Sequence, residues 1–261
     1  WPPINWAGGG HTCAILDDAS LYCWGYNAAG QLGDGTTINS STPVQVSLPS
    51  GRTAISVSAG SYHTCAILDD ASLYCWGEGD SGQLGDGTTT NSSMPVQVSL
   101  PSGHTATSID AGGWHNCAVL DNGTAYCWGY NGGGRLGDGT TTDSSTPVAV
   151  SGLPSGRTTV SVSLGQWHTC AILDDASLYC WGYNYYGQLG IGSNTDSSTP
   201  VVVSLPSGRT AASVSANENH ACSVLDDDSL YCWGRSNSGQ LGNGDLLNRN
   251  SPVAVSLPSG R

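Results

Sequence analysis

The sequence predicts an all-β chain: a β-propeller of five four-stranded antiparallel blades, with one disulfide inside each blade. Three observations lead there. First, one unit recurs five times, marked by Cys13 with Cys23, Cys65 with Cys75, Cys117 with Cys127, Cys170 with Cys180, and Cys222 with Cys232, at offsets of 52, 52, 53 and 52 residues. A period of that length belongs to propellers and solenoids. Second, every unit reads as short strands between Gly-, Asp- and Pro-containing turns, with no helical period. Third, the strands are apolar on both faces, so each sheet must be sandwiched between like sheets. Radial stacking of blades does this while protecting strand edges. The whole chain, 1–261, is read as a single repeat domain with approximate copies 1–52, 53–104, 105–157, 158–209 and 210–261.

The second copy gives the elements in order. Thr53 to Ala59 alternates apolar and small polar residues and stops at Gly60, a first strand. His63 to Leu68 is the second, Asp69-Asp70-Ala71 a turn, and Leu73 to Trp76 the third, ended by Gly77. A long loop from Gly79 to Ser93 contains Gly82-Gln83-Leu84-Gly85-Asp86-Gly87, and Pro95 to Val98 is a short fourth strand with its proline at the start. The opening copy departs: Trp1-Pro2-Pro3-Ile4-Asn5-Trp6 stands where Thr53 to Ser58 would be. We expect it to pair at the seam where the last copy meets the first, and chain ends near one repeat boundary suit ring closure.

Register follows from arithmetic. Pairing Cys65 with Cys75 also pairs Ile67 with Leu73 and Leu68 with Ser72, which leaves a three-residue loop that wants a left-handed residue last. Gly123 stands there in the third copy and Ala in most others. The cysteines then face each other at a non-hydrogen-bonded pair, with Cα atoms roughly 4.5 Å apart. Closing such a loop contributes about 2.5–3 kcal/mol in the chain-entropy model. One face of the hairpin carries Cys65, Ile67, Leu73 and Cys75, the other Ala66, Leu68, Tyr74 and Trp76.

Composition excludes several functions. The formal charge of −13 arises from 20 acidic residues against 7 arginines, with no lysine. That balance leaves no electrostatic footprint for nucleic acid or for an anionic membrane surface. No apolar run reaches the ~20 residues of a membrane span. Ten cysteines in even pairs belong to an oxidising compartment, and a chain opening on Trp1 reads as one whose export signal has been removed. The expected location is extracellular or at the cell surface.

These residues carry a resemblance. His63-Thr64, the apolar strand, Asp-Asp-Ala, Leu73-Tyr74-Cys75-Trp76-Gly77, Gly82-Gln83-Leu84-Gly85-Asp86-Gly87 and Pro95-Val96 resemble the regulator-of-chromosome-condensation repeat. The match recurs at Trp24-Gly25, Trp128-Gly129, Trp181-Gly182 and Trp233-Gly234, so it covers essentially the whole chain. The resemblance implies a β-propeller whose familiar members have seven blades and act through protein–protein contacts. One is a nucleotide exchange factor for a small GTPase, and another branch inhibits β-lactamases. This chain departs in its five copies, its cysteine pairs and its lack of basic character. The last two argue against a nuclear role.

No constellation reads as catalytic, and no cofactor or metal is expected. His11, His63, His115, His168 and His220 each precede a cysteine by two residues, but cross-strand cysteines lack the close spacing of zinc ligands, and a repeated histidine suits a framework hydrogen bond. Asp34, Asp86 and Asp138 become Ile191 and Asn243 in the last copies, which favours a solvated turn over a calcium loop. The paired Asp residues at hairpin tips are turn formers, offset by Arg52, Arg157 and Arg209. Asn39, Asn91 and Asn122 head glycosylation sequons.

Variation among the copies points to the opposite end. The candidate binding face comprises Tyr26, Tyr62, Trp114, Tyr130, Trp167, Tyr183, Tyr185 and Tyr186, on the first–second and third–fourth connections. Aromatic residues there suit a protein contact, self-assembly into a surface layer or filament, or stacking on glycans. The alternative is that they only cover blade edges.

Overall fold

The computed structural model describes residues 4–258, and the backbone alone of 4–7. Trp1-Pro2-Pro3, part of the departing opening segment, lies outside the described residues. Among the described residues twenty strands form five four-stranded antiparallel sheets, each a meander in chain order, as the blades of a β-propeller. The chain divides into two compact units, Trp1–Asn131 with Thr142–Ala149, and Gly132–Thr141 with Val150–Arg261.

In the first unit, the second copy is built of Ala54–Ala59, His63–Leu68, Leu73–Gly77 and Ser92–Gln97. Cys65 faces Cys75 and Ile67 faces Leu73, the register that the arithmetic gave. The tight turn closes through Leu68 N–H to Ser72 O at 2.9 Å. Its last residue is left-handed in every copy: Ala19, Ala71, Gly123, Ala176 and Asp228 have φ between 61° and 76°. In the opening copy, Ile4–Ala7 pairs antiparallel with His11–Ile15 and so fills the first-strand place of its own sheet.

Each blade carries its disulfide between the second and third strands. Cys13 is bonded to Cys23, Cys65 to Cys75, and Cys117 to Cys127. Cys170 is bonded to Cys180, and Cys222 to Cys232. The Cα atoms lie 4.0–4.1 Å apart, closer than the roughly 4.5 Å expected of an ideal ladder. Nine of the ten cysteines are buried, Cys222 is half-buried, and none is free.

The fourth strand corrects the sequence reading. It begins at Ser92 rather than Pro95, and the register slips between Cys75 and Gly77, which face Val96 and Ser92. Three residues lie between Ser92 and Val96 where one lies between Cys75 and Gly77, so the strand bulges. Pro95 sits inside this bulge on an edge strand, where its missing N–H removes no ladder bond.

The core lies between blades, not within them. Cys65, Ile67, Leu73 and Cys75 pack with Leu84 and Val98 against Ala106, Ile109, Ala118, Leu120 and Trp128 of the next copy. Ala66, Leu68 and Trp76 turn the other way, onto Cys23, Leu21, Leu32 and Val46 of the first copy. The two apolar faces thus serve two different neighbours. In the second unit the same division repeats: Cys170, Ile172, Leu178, Cys180, Leu189 and Val203 pack against Ala211, Ala221 and Trp233. Each fully buried Leu or Ile contributes about 1.5–3 kcal/mol, so a blade deprived of its neighbour has little to hold it.

Candidate functional site

The long loop after each third strand explains the Gly-Gln-Leu-Gly motif. Trp76 Nε1 donates to the Gln31 carbonyl oxygen at 2.9 Å, and Trp128 Nε1 to Gln83 O at 3.1 Å. Trp181 uses Arg135 O at 2.9 Å and Trp233 uses Gln188 O at 2.8 Å. The leucine of the motif is fully buried at Leu32, Leu84, Leu136, Leu189 and Leu241. The last glycine admits the ring: a Cβ on Gly85, at φ +70°, would sit 2.7 Å from Trp128 Nε1. The loop of one copy is thereby latched to the third strand of the next.

The repeated histidines belong to the same latch. His11 Nε2 lies 2.7 Å from Thr64 Oγ1, whose hydroxyl donates to Gln31 O at 2.9 Å. His63 Nε2 meets Asn116 Oδ1 at 2.8 Å, and Asn116 Nδ2 donates to Gln83 O at 2.7 Å. With those hydroxyl and amide protons committed to carbonyls, the imidazoles act as neutral Nε2–H donors. Burial, with the neighbouring His63 second, pushes His11 down to about 4, and burial pushes His63 down to about 4 against the bond from Asn116. His168 differs. Position 221 carries Ala where 64 and 116 carry Thr and Asn, and neither ring nitrogen of His168 has a hydrogen-bond partner. Burial foremost, then His220 and Arg135, lowers its pKa to about 3. The framework hydrogen bond that recurrence implied is present at His11 and His63 and missing at His168.

The other repeated groups are also structural. Asp34 Oδ1 caps its turn by accepting from Thr36 N at 2.9 Å, and Asp86 and Asp138 treat Thr88 and Thr140 alike. At the tips, Arg52 pairs with Asp70 at 2.8 Å, Arg157 with Asp175 at 3.1 Å and Arg209 with Asp227 at 2.7 Å. His104 takes the arginine's place beside Asp121, at 2.8 Å. These pairs are exposed and contribute little. Asn39 and Asn91 are exposed, and each accepts the backbone N–H of Asn27 or Gly79 through its Oδ1 at 2.8 Å. Asn122 accepts from Thr124 N at 3.0 Å in the exposed third-copy tip. Among the described residues no group of three or more His, Cys, Asp or Glu side chains has metal-site geometry.

The aromatic residues come together within each unit. In the first, Tyr26 meets Tyr62 edge-on with centroids 6.2 Å apart, and Tyr62 meets Trp114 at 6.5 Å. Tyr130 joins them through its N–H to Trp114 O at 2.9 Å. In the second, a continuous ribbon runs Arg135–Trp167–Tyr183–Tyr185–Tyr186–Arg235. Arg135 lies over Trp167 at 4.9 Å, Trp167 is 6.4 Å from Tyr183, and Tyr183 stacks on Tyr185 at 6.3 Å. Tyr185 meets Tyr186 perpendicularly at 5.0 Å, and Arg235 caps Tyr186 at 5.3 Å.

Only part of this face is open. Tyr26, Tyr62 and Tyr185 are 41%, 40% and 66% exposed, while Trp114, Tyr130, Trp167, Tyr183 and Tyr186 are half-buried. Five of the eight rings are thus partly covered by their surroundings. Buried asparagines hold the tyrosine loops rigid: Asn184 Oδ1 accepts from Leu189 N at 2.9 Å while its Nδ2 donates to Thr195 O at 2.9 Å, and Asn27 does the same for Leu32 and Ile38. Sequence reasoning missed these asparagines and the buried Arg135. The recurring Tyr-Asn dipeptides were the available signal.

Repeated four-stranded blades, latched loop to strand, with variable aromatic residues clustered on the loop end, define a repeat β-propeller. Residues 6–261 match the RCC1-like domain, and the chain belongs to that family. It is 35% identical over 249 residues to the ultraviolet-B receptor UVR8 of Arabidopsis thaliana, covering 95% of this chain and 56% of the relative. It is 29% identical over 246 residues to the human E3 ubiquitin-protein ligase HERC2, covering 93% of this chain and 5% of that one. The crystal structure of yeast RCC1 (Prp20) bound to Kap60 superposes with a TM-score of 0.84 at 21% identity, covering 97% of this chain and 63% of the other. The chain thus spans little more than half of UVR8 and a small fraction of HERC2.

Proposed function

We propose that this chain is an extracellular or surface-exposed, non-catalytic propeller that binds another protein through the aromatic loop end. The observation that carries the reading is the contrast between the two ends of the blades. At the hairpin tips the arginines are spent on neighbouring aspartates, and the side chains repeat from copy to copy. At the loop end the side chains vary among the copies, with Gly10, Tyr62, Trp114, Trp167 and Asn219 before the histidine; the aromatic rings touch one another, and buried asparagines fix the loops that carry them. Rigid amphipathic aromatic residues on held loops supply contact area at low entropic cost. One disulfide per blade supports an oxidising compartment. The solved yeast relative was crystallised with a protein partner, in keeping with a contact role for this fold.

The test is selection of a phage-displayed peptide library on the folded, oxidised protein, with native mass and a glycan array run in parallel. The selected peptides are expected to lose binding to Tyr62→Ala or Tyr185→Ala and to keep it with Arg52→Ala at a hairpin tip. Ordered polymers without peptide binding would make self-assembly the function. Glycan binding that depends on the same tyrosines would replace the protein reading with a lectin.

A further inference from the structure

The ribbon of the second unit has a chemistry that narrows the partner. Trp167 and Tyr186 each give a face to a guanidinium, and Tyr183 and Tyr185 give faces to each other. Ring faces are the electronegative part of an aromatic side chain, so their use inside the ribbon leaves positive edges and polar tips to solvent. The phenol hydroxyls of Tyr183, Tyr185 and Tyr186 donate to no acceptor among the described residues.

Arg235 completes the pattern. Its Nε donates to Asn237 Oδ1 at 2.9 Å, and no carboxylate among the described residues lies within ion-pair distance of it. By contrast Arg157, Arg209 and Arg249 in the same unit are each paired with Asp. Arg235 also borders a polar recess of about 250 Å3 that includes Asn219, His220 and Gln240. The Asn219 side-chain amide makes no hydrogen bond within the described chain and faces the recess from a largely covered residue. Several donors without acceptors converge on one edge of a protein whose formal charge is −13.

We infer that the Tyr185–Tyr186–Arg235 edge docks an acidic segment of a partner protein, with an Asp or Glu carboxylate on the Arg235 guanidinium and adjacent apolar side chains against the tyrosines. This inference rests on the reading of the loop end as a protein contact. A carboxylate is the group that satisfies a guanidinium and phenol donors together, and the guanidinium pair gives geometric specificity. An acidic segment would meet two like charges among the described residues, the exposed Glu218 bordering the recess and Asp196, whose charge acts on Tyr183.

The test uses the full oxidised chain and fluorescein-labelled peptides in which Glu alternates with Leu or Pro, beside matched peptides carrying Gln. Fluorescence anisotropy at low salt is expected to show the Glu peptides bound about tenfold more tightly than the Gln set, with the preference shrinking towards ~0.15 M salt. Arg235→Gln is expected to abolish the preference at unchanged thermal midpoint, and Glu218→Gln to increase it. Equal binding of the two sets, binding of neither, or a preference indifferent to Arg235→Gln overturns the inference. Should equal binding still vanish in Tyr185→Ala, the loop end stands as a protein contact and only the acidic chemistry falls. Library-selected peptides that ignore Tyr62→Ala and Tyr185→Ala would remove the broader reading itself.

Discussion

Trp76 Nε1 and the Gln31 carbonyl oxygen meet at 2.9 Å, joining the third strand of the second copy to the loop of the first. Both groups are buried, and Thr64 shares the same acceptor. A propeller assembled from sheets with few large aliphatic residues is thus tied at each internal boundary by an indole, a backbone carbonyl and a loop glycine.

The latch predicts the effect of removing one bond while keeping the ring. Trp128→Phe deletes the donor to Gln83 O, and Asn116 remains to satisfy that oxygen. The loss of one buried bond and of part of the ring is expected to cost about 1–3 kcal/mol. Urea unfolding of the oxidised protein measures it. A midpoint equal to the parent's would show that the indole bond is incidental.

The orphaned imidazole predicts a gain. Ala221 stands 53 residues after His168, the same separation as between His11 and Thr64. Ala221→Thr would place a hydroxyl between His168 Nε2 and Gln188 O, as Thr64 stands between His11 and Gln31. The expected gain is about 1 kcal/mol, the net value of a buried hydrogen bond. Ala221→Ser supplies the hydroxyl with less bulk. Loss of stability in both variants would mean that the pocket around His168 has no room for a bridging group.

The hairpin tip predicts a second gain. Ala71 holds φ at 62°, where a Cβ is strained, and the third copy already uses Gly123 there. Relief of that strain outweighs the extra freedom that glycine gives the unfolded chain, so Ala71→Gly is expected to stabilise by about 0.5–1 kcal/mol. Calorimetric midpoints of Ala71→Gly and of the reverse change Gly123→Ala should move in opposite directions.

Acid dependence follows from the depressed histidines. The unfolded side chains titrate near 6.5, whereas His11 and His63 titrate at about 4 and His168 at about 3 in the fold. Between those limits the unfolded chain binds more protons, so stability rises with pH. The contribution is fully present above 6.5 and is lost as pH falls through about 4 and then about 3. Glu78 works the other way: burial, then Asp80, raises its carboxyl, so it favours the fold as pH falls. Three histidines outweigh one half-buried carboxyl, and the unfolding midpoint in urea should be lower at about pH 5 than at about pH 7. A flat profile would contradict neutral, buried imidazoles.

Most of the architecture was legible because period-2 patterning and an exact repeat each constrain it independently. The register of Cys65 with Cys75, the left-handed third turn residue and the opposite allegiances of Ile67 and Leu68 all follow from parity. Parity also carries over unchanged to Cys13 with Cys23, Cys117 with Cys127 and Cys222 with Cys232, because every pair has the same separation of 10. The start of the fourth strand was not legible: Pro95 looks like a boundary, and only the bulge opposite Trp76 lets pairing reach back to Ser92. The latch was hidden for another reason. It joins a backbone carbonyl to an indole 45 residues away, and a carbonyl leaves no mark on the sequence. At the candidate face, sequence variation marked the tyrosines, but the ring-to-ring order and the place of Arg235 depend on loop geometry fixed by Asn184.

Hydrogen–deuterium exchange with and without a library-selected ligand tests the placement of function most directly. The account predicts slowed exchange in the loop-end connections, at 60–62 and 112–114 or at 165–167 and 183–186, with the tips at 69–71 and 174–176 unchanged. Protection confined to the tips, with the aromatic connections exchanging as before, would contradict it.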